Sequence, residues 1–224
     1  KINVKIMLFQ NFWYFCFYRF LELNLCKSHL VVFYRGKSTM ERVRLRRKLA
    51  DKSNFIVCVE LTGGPGFSYG PIEKFLRTYQ DTGSTAIPKG FDFACITLPQ
   101  NPGGVANIQP SDVISEMTSK GLLAGLDVMP HVTCKDHNAY GIVSVLAGHR
   151  NAGVETVLLM TGDKPVGAKG VFELDSVGLL RRVRSINNDS MMKAAPDALD
   201  RVHQFFCGAA VSPFKYTEAT QMQQ

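Results

Sequence analysis

From residue 55 onward the chain alternates between two hydrophobic patterns. Short continuous apolar runs, rich in Val, Ile, Phe and Leu, occupy 55–61, 91–98, 126–134, 154–161 and 205–211. Runs of this length and composition are expected to be strands buried on both faces. Between them, apolar residues recur every three or four positions. Residues 71–79 place Ile72, Phe75, Leu76 and Tyr79 on one helical face. Similar stretches predict helices over 111–119, with Ser111 as N-cap, over 138–151, ended by Gly153, and over 173–186. Further helices are expected over 41–50, over 195–204 with Pro196 in the first turn, and from Thr217.

Repeated β/α units imply parallel strands joined by right-handed crossovers. No G-x-G-x-x-G and no P-loop follows any strand, which disfavours a doubly wound nucleotide-binding sheet. Five units by residue 211 match the pace of a (β/α)8 TIM barrel, incomplete here. Three strands are missing from the eight, so two open edges and half a core are expected. The chain alone is therefore expected to be unstable and inactive.

Residues 1–39 differ from the rest. They hold ten of the 23 aromatic side chains, among them Phe12, Trp13, Tyr14, Phe15, Phe17 and Tyr18. The apolar run 6–21 is interrupted by Gln10, Asn11 and Arg19, which suits neither a spanning helix nor a signal peptide. An interfacial anchor is one reading. The favoured expectation is sequence upstream of a natural start at Met40, with the barrel portion running over 40–224. This segment also carries a net charge of +5, leaving 20 basic and 18 acidic side chains elsewhere, a net +2. The overall +7 therefore gives no reason to expect nucleic acid as a partner. The six cysteines are spread singly, which fits a reducing cytoplasm better than a disulfide framework.

Polar residues gather at the carboxyl ends of the expected strands, where α/β barrels carry their chemistry. They are Glu60, Thr97, the stretch from His131 to Asp136, Asp163, and 212–215. Two carboxylates on different strands suit a division of labour between a protonated acid and a charge that stabilises a cation. Glu60, between Val59 and Leu61, is the candidate acid. Asp163 follows a buried run and opens a loop containing Pro165, Gly167 and Gly170. His131-x-x-Cys134-x-x-His137 lacks the fourth ligand of a structural zinc site, and no metal is assigned. His131 is read as a strand residue beside a ligand, and His149 and His203 as surface or packing residues.

Three stretches taken together carry a resemblance: H-V-T-C-K-D-H-N at 131–138, L-L-M-T-G-D-K-P at 158–165 and V-F-E-L-D-S at 171–176. With V-E-L at 59–61 they resemble methylenetetrahydrofolate reductase, the flavin-dependent β/α-barrel enzyme of folate one-carbon metabolism, over about residues 45–224. The resemblance implies reduction of 5,10-methylenetetrahydrofolate to 5-methyltetrahydrofolate with FAD. It implies Glu60 as general acid and Asp163 as the charge beside flavin and pterin. It places Thr97, His131, Gly162, Asp163, Phe172, Ala210 and Lys215 against the cofactor. NAD(P)H or another electron donor, directly or through a partner subunit, is expected, in an oligomer that is not membrane-bound. The run L-T-G-G-P-G after Glu60 departs from the family's aromatic and Pro-Pro continuation and suggests its divergent anaerobe-type branch. A folate- or flavin-binding module without turnover is the alternative.

Overall fold

The computed structural model describes residues 4–9, 30–33, 44–51, 53, 55–83, 91–188 and 205–211. The five apolar runs form β3 (Phe55–Leu61), β4 (Phe91–Leu98), β5 (Asp127–Thr133), β6 (Thr156–Met160) and β7 (Phe206–Val211). These pair in sequence order and all in parallel. This array is a curled half-barrel wall, in keeping with part of a β/α barrel.

Helices α2 (Gly70–Thr82), α3 (Pro110–Ser119), α4 (Ala139–Asn151) and α5 (Ser176–Asn188) are the crossovers among β3 to β7. Their apolar stripes and the outward residues of the strands make one large core, including Val59, Leu61, Ile96, Leu98, Val132, Val157 and Leu159. Tyr79 of α2 stands edge-on to Phe93 of β4, ring centroids 4.7 Å apart. The opposite face of the sheet is capped by α1 (Arg44–Ala50). Its Leu45 and Leu49 pack with Ile56, Cys58, Ala94, Cys95, Met129 and Leu158 as a smaller core. Asp127, at the start of β5, accepts the backbone N–H of Leu45, so α1 closes the amino-terminal end of the half-barrel.

Several boundaries correct the sequence reading. The helix expected at 111–119 begins at Pro110 after Gln109, with no side-chain cap; Ser111 instead contacts Asp112. Proline at the first position needs no donor, so the cap is dispensable. The last described helix begins at Ser176 rather than near Glu173, because Asp175 Oδ1 accepts Gly178 N–H at 2.6 Å and ends the preceding loop. Asn138 does cap its helix, accepting Gly141 N–H at 2.8 Å. The expected helices at 195–204 and from Thr217, together with Pro196 and His203, lie outside the described residues.

The open edges expected of a five-stranded wall are covered. Strand β1 (Val4–Phe9) pairs antiparallel with β3, and β2 (Leu30–Phe33) pairs antiparallel with β7. The sheet order is β1-β3-β4-β5-β6-β7-β2. Two short β-prone runs inside the aromatic segment 1–39 take the places that unpaired N–H and C=O groups offer. No helix among the described residues is long and apolar enough to cross a membrane.

Candidate active site

Side chains alternate between the two faces of a strand, so a residue two positions from an inward one also points inward. Glu60 is two beyond Cys58, and His131 two beyond Met129; both belong to the face capped by α1. Thr97 reaches that face through a register shift between Val57 and Cys58, where β4 carries one extra residue. Phe93 packs outward, Ala94 and Cys95 both pack inward, and Ile96 and Leu98 return outward. A bulge of this kind re-aims every following side chain. Thr97 thereby becomes the register partner of Glu60 on the same face. All three are buried: Glu60 is 8% exposed, Thr97 0% and His131 4%.

Thr97 Oγ1 is buried with no hydrogen-bond partner among the described residues. Most buried hydroxyls in native proteins are satisfied, so an orphan at a strand end is a reason to expect a ligand. Ala210 falls on the same face by alternation from Phe206, whose ring faces Arg46 of α1.

Above this layer the loops after β4, β5 and β6 interlock. Gln100, only 2% exposed, accepts both the N–H and the hydroxyl of Thr133 at 3.0 Å. Its amide nitrogen lies 3.2 Å from Gln109 Oε1 and 3.0 Å from His137 Nε2. His137 is thus engaged by an amide, and no group of three or more metal-ligating side chains exists among the described residues. Lys135, buried at 1% exposure, donates to the Asn101 carbonyl at 2.8 Å and pairs with Asp136 at 3.2 Å.

Asp163 is exposed, on the loop after β6, and its Oδ2 accepts Gly103 N–H at 3.1 Å. The structure ties Asp163 to the β4 loop, while Glu60 sits below on its strand beside Thr97. Gly162, with φ of 88°, must be glycine: a Cβ there would lie 2.9 Å from both Thr133 Cβ and Lys135 Cδ. Phe172, φ 43°, is 40% exposed and its ring covers Gly170. Phe67, Val105, Val166 and Val171 are also exposed on the loops after β3, β4 and β6. The carboxyl-terminal end therefore combines a polar floor with an apolar rim, a combination suited to flat heteroaromatic ligands. Lys215 lies outside the described residues.

The thiols are poor candidates for nucleophiles. Burial raises Cys95 well above the ordinary thiol range, Cys134 to about 11 and Cys207 to about 12. A cavity of about 330 Å3 lies at the other end of the sheet, where Asp127 and Thr156 begin their strands, away from all the residues above. Nothing in the sequence marks Gln100 and Asn101 as site residues, and Lys135 is marked only as a member of the strand-end stretch from His131 to Asp136. Their signal is weak there, since only the folded loops bring them together. The fact that H-V-T-C-K-D places a lysine directly after a buried strand was the one available clue.

Searches among curated proteins and among solved structures return no match. A family model does match: residues 92–196, running from β4 past α5, fit methylenetetrahydrofolate reductase. Over this stretch, a little under half of the chain, the protein is similar to the methylenetetrahydrofolate reductase family.

Proposed function

We propose that the chain forms the flavin- and folate-binding part of a reductase that converts 5,10-methylenetetrahydrofolate to 5-methyltetrahydrofolate. The observation that carries this reading is the shared, buried face of Glu60, Thr97 and His131, of which Thr97 and His131 fall within the family-matched stretch 92–196 and Glu60 precedes it. In this reading Thr97, His131, Gly162, Phe172, Ala210 and Lys215 hold FAD. The Thr97 hydroxyl offers a hydrogen bond that no group among the described residues takes up. Gly162 leaves room for close backbone approach, and the Phe172 ring supplies an apolar wall. FAD, when bound and reduced, supplies the hydride.

The protein's own part is proton transfer and charge. Glu60 delivers a proton to the folate nitrogen as the methylene bridge opens, leaving an iminium carbon on the substrate. Asp163 stabilises that cation, and does so more effectively once ligand excludes water from the rim. The sequence L-T-G-G-P-G after Glu60 shapes the substrate side. The reducing equivalents would come from NAD(P)H or another donor, directly or through a partner subunit.

The test is reconstitution of the full chain with FAD. A retained cofactor with a shifted visible spectrum is expected, and its photoreduced form should reoxidise on adding methylenetetrahydrofolate. Failure to retain FAD sinks the proposal. Retention with undiminished reoxidation in Glu60→Gln removes Glu60 from the acid role. Retention without reoxidation by the unaltered chain supports a binding module without turnover.

A further inference from the structure

We propose that Lys135 is a positioning residue for Asp163 and acts through the turn at 101–104. This rests on the reading of Asp163 as a site carboxylate. Lys135 follows the end of β5, yet its side chain is 1% exposed. A buried ammonium is costly unless every charge-bearing bond is satisfied, and an apolar side chain would fill the same space at less cost. What only the cation does here is hold two loops at once. Its Nζ donates to the Asn101 carbonyl at 2.8 Å and pairs with Asp136 Oδ2 at 3.2 Å. Its stem lies against Gly162, where a Cβ would come within 2.9 Å of Lys135 Cδ. Gly162 is the residue before Asp163.

Asn101 is itself fully committed. Its backbone is left-handed, φ 44° and ψ 59°. Its Nδ2 donates to Asp136 Oδ2 at 2.9 Å, and its Oδ1 accepts Asn107 N–H at 2.9 Å. So anchored, the turn presents Gly103 N–H to Asp163 Oδ2 at 3.1 Å. Gly104 then accepts Val166 N–H at 2.9 Å and packs so closely on the Lys164 carbonyl that a Cβ would lie 2.1 Å from it. Asp163 is exposed, and an exposed carboxylate samples many rotamers unless something fixes it. A displacement of about 1 Å in a charge that faces a reacting centre is enough to cost on the order of 100-fold in rate.

The test uses the full chain with Lys135→Met, Asp163→Ala and the double variant. In the cofactor-free protein, the Gly103 amide should exchange with solvent at least about tenfold faster in K135M, as it should in D163A. The amides of Ile142 and Leu159 should keep their rates, which a general loss of fold would not allow. With FAD bound, K135M should slow folate-dependent reoxidation by roughly 10- to 100-fold, and K135M/D163A should be no slower than D163A alone. Unchanged Gly103 exchange in K135M, or losses that multiply in the double variant, overturn the proposal. If K135M does not fold, Lys135→Gln keeps a polar tip but removes the charge and the reach to the Asn101 carbonyl, and the same exchange result is expected; an unchanged rate there overturns the proposal equally. Normal reoxidation by D163A, with Gly103 still exposed by K135M, removes Asp163 from the chemistry and leaves the clamp standing.

Discussion

Glu60 and Thr97 are register partners on adjacent parallel strands, and they are so because β4 carries one extra residue below them. The bulge puts a carboxyl and an unpartnered hydroxyl on one buried face. The first consequence concerns Glu60. Glu60→Gln keeps the shape and a hydrogen-bonding tip but removes the transferable proton. FAD affinity should stay within about threefold, while flavin reoxidation by methylenetetrahydrofolate should fall by roughly 100-fold or more. Stopped-flow absorbance of the bound flavin measures it.

Thr97→Val replaces the orphan hydroxyl by a methyl of nearly the same volume. No group among the described residues bonds Thr97 Oγ1, so the cofactor-free fold should be unchanged or stabilised by about 1 kcal/mol. FAD binding should weaken by roughly 5- to 10-fold, the worth of one hydrogen bond. Urea unfolding and flavin fluorescence titration give the two numbers. Equal affinity in both proteins counts against Thr97 as a cofactor contact.

Gly162→Ala combines a φ of 88° with contacts of 2.9 Å to Thr133 and Lys135. Strain in the left-handed region and overpacking should together destabilise the fold by about 2 kcal/mol or more. Thermal unfolding of the variant against the unaltered chain reads the loss, and a melting temperature within a degree of the original would mean the loops yield easily.

His149 gives a pH signature. It is 1% exposed, neither ring nitrogen is bonded by a group among the described residues, and burial lowers its pKa from 6.5 to about 4. The folded state therefore resists a proton that the unfolded chain accepts. Between about pH 6.5 and pH 4 the unfolded state binds more protons, so stability falls as pH falls through that window and levels off below it. The loss should be on the order of 2–3 kcal/mol. His149→Met should abolish this component, and urea midpoints at pH 7 and pH 4.5 should then differ only by what other groups contribute.

Much of the architecture was legible along the chain. Phe55–Leu61 and Phe91–Leu98 form strands over the span their apolar runs indicate. Fully buried strands leave continuous runs that no polar alternation blurs. The position of Asp163 just past a buried strand was equally legible, because Gly162 interrupts the run. The clamp was not. Gln100, Asn101 and Lys135 are spaced by up to 35 positions, and nothing local marks a lysine as buried. The antiparallel edges β1 and β2 were also missed, since edge pairing depends on which N–H and C=O groups stay open after the parallel wall has formed.

The sequence by itself determined the order of the parallel strands β3 to β7 and of helices α2 to α5 between them, and the two carboxylates at strand ends. Periodicity and local turn chemistry suffice for these, because each is set within a few residues. Only the tertiary structure decided which way Thr97 faces. Strict alternation from Phe93, an outward residue, would have turned Thr97 outward as well, into the helix-packed core. One inserted residue, fixed by how β4 pairs with β3, reverses that assignment and sets Thr97 beside Glu60. Strand register is a property of two strands together, and neither run of sequence contains it alone.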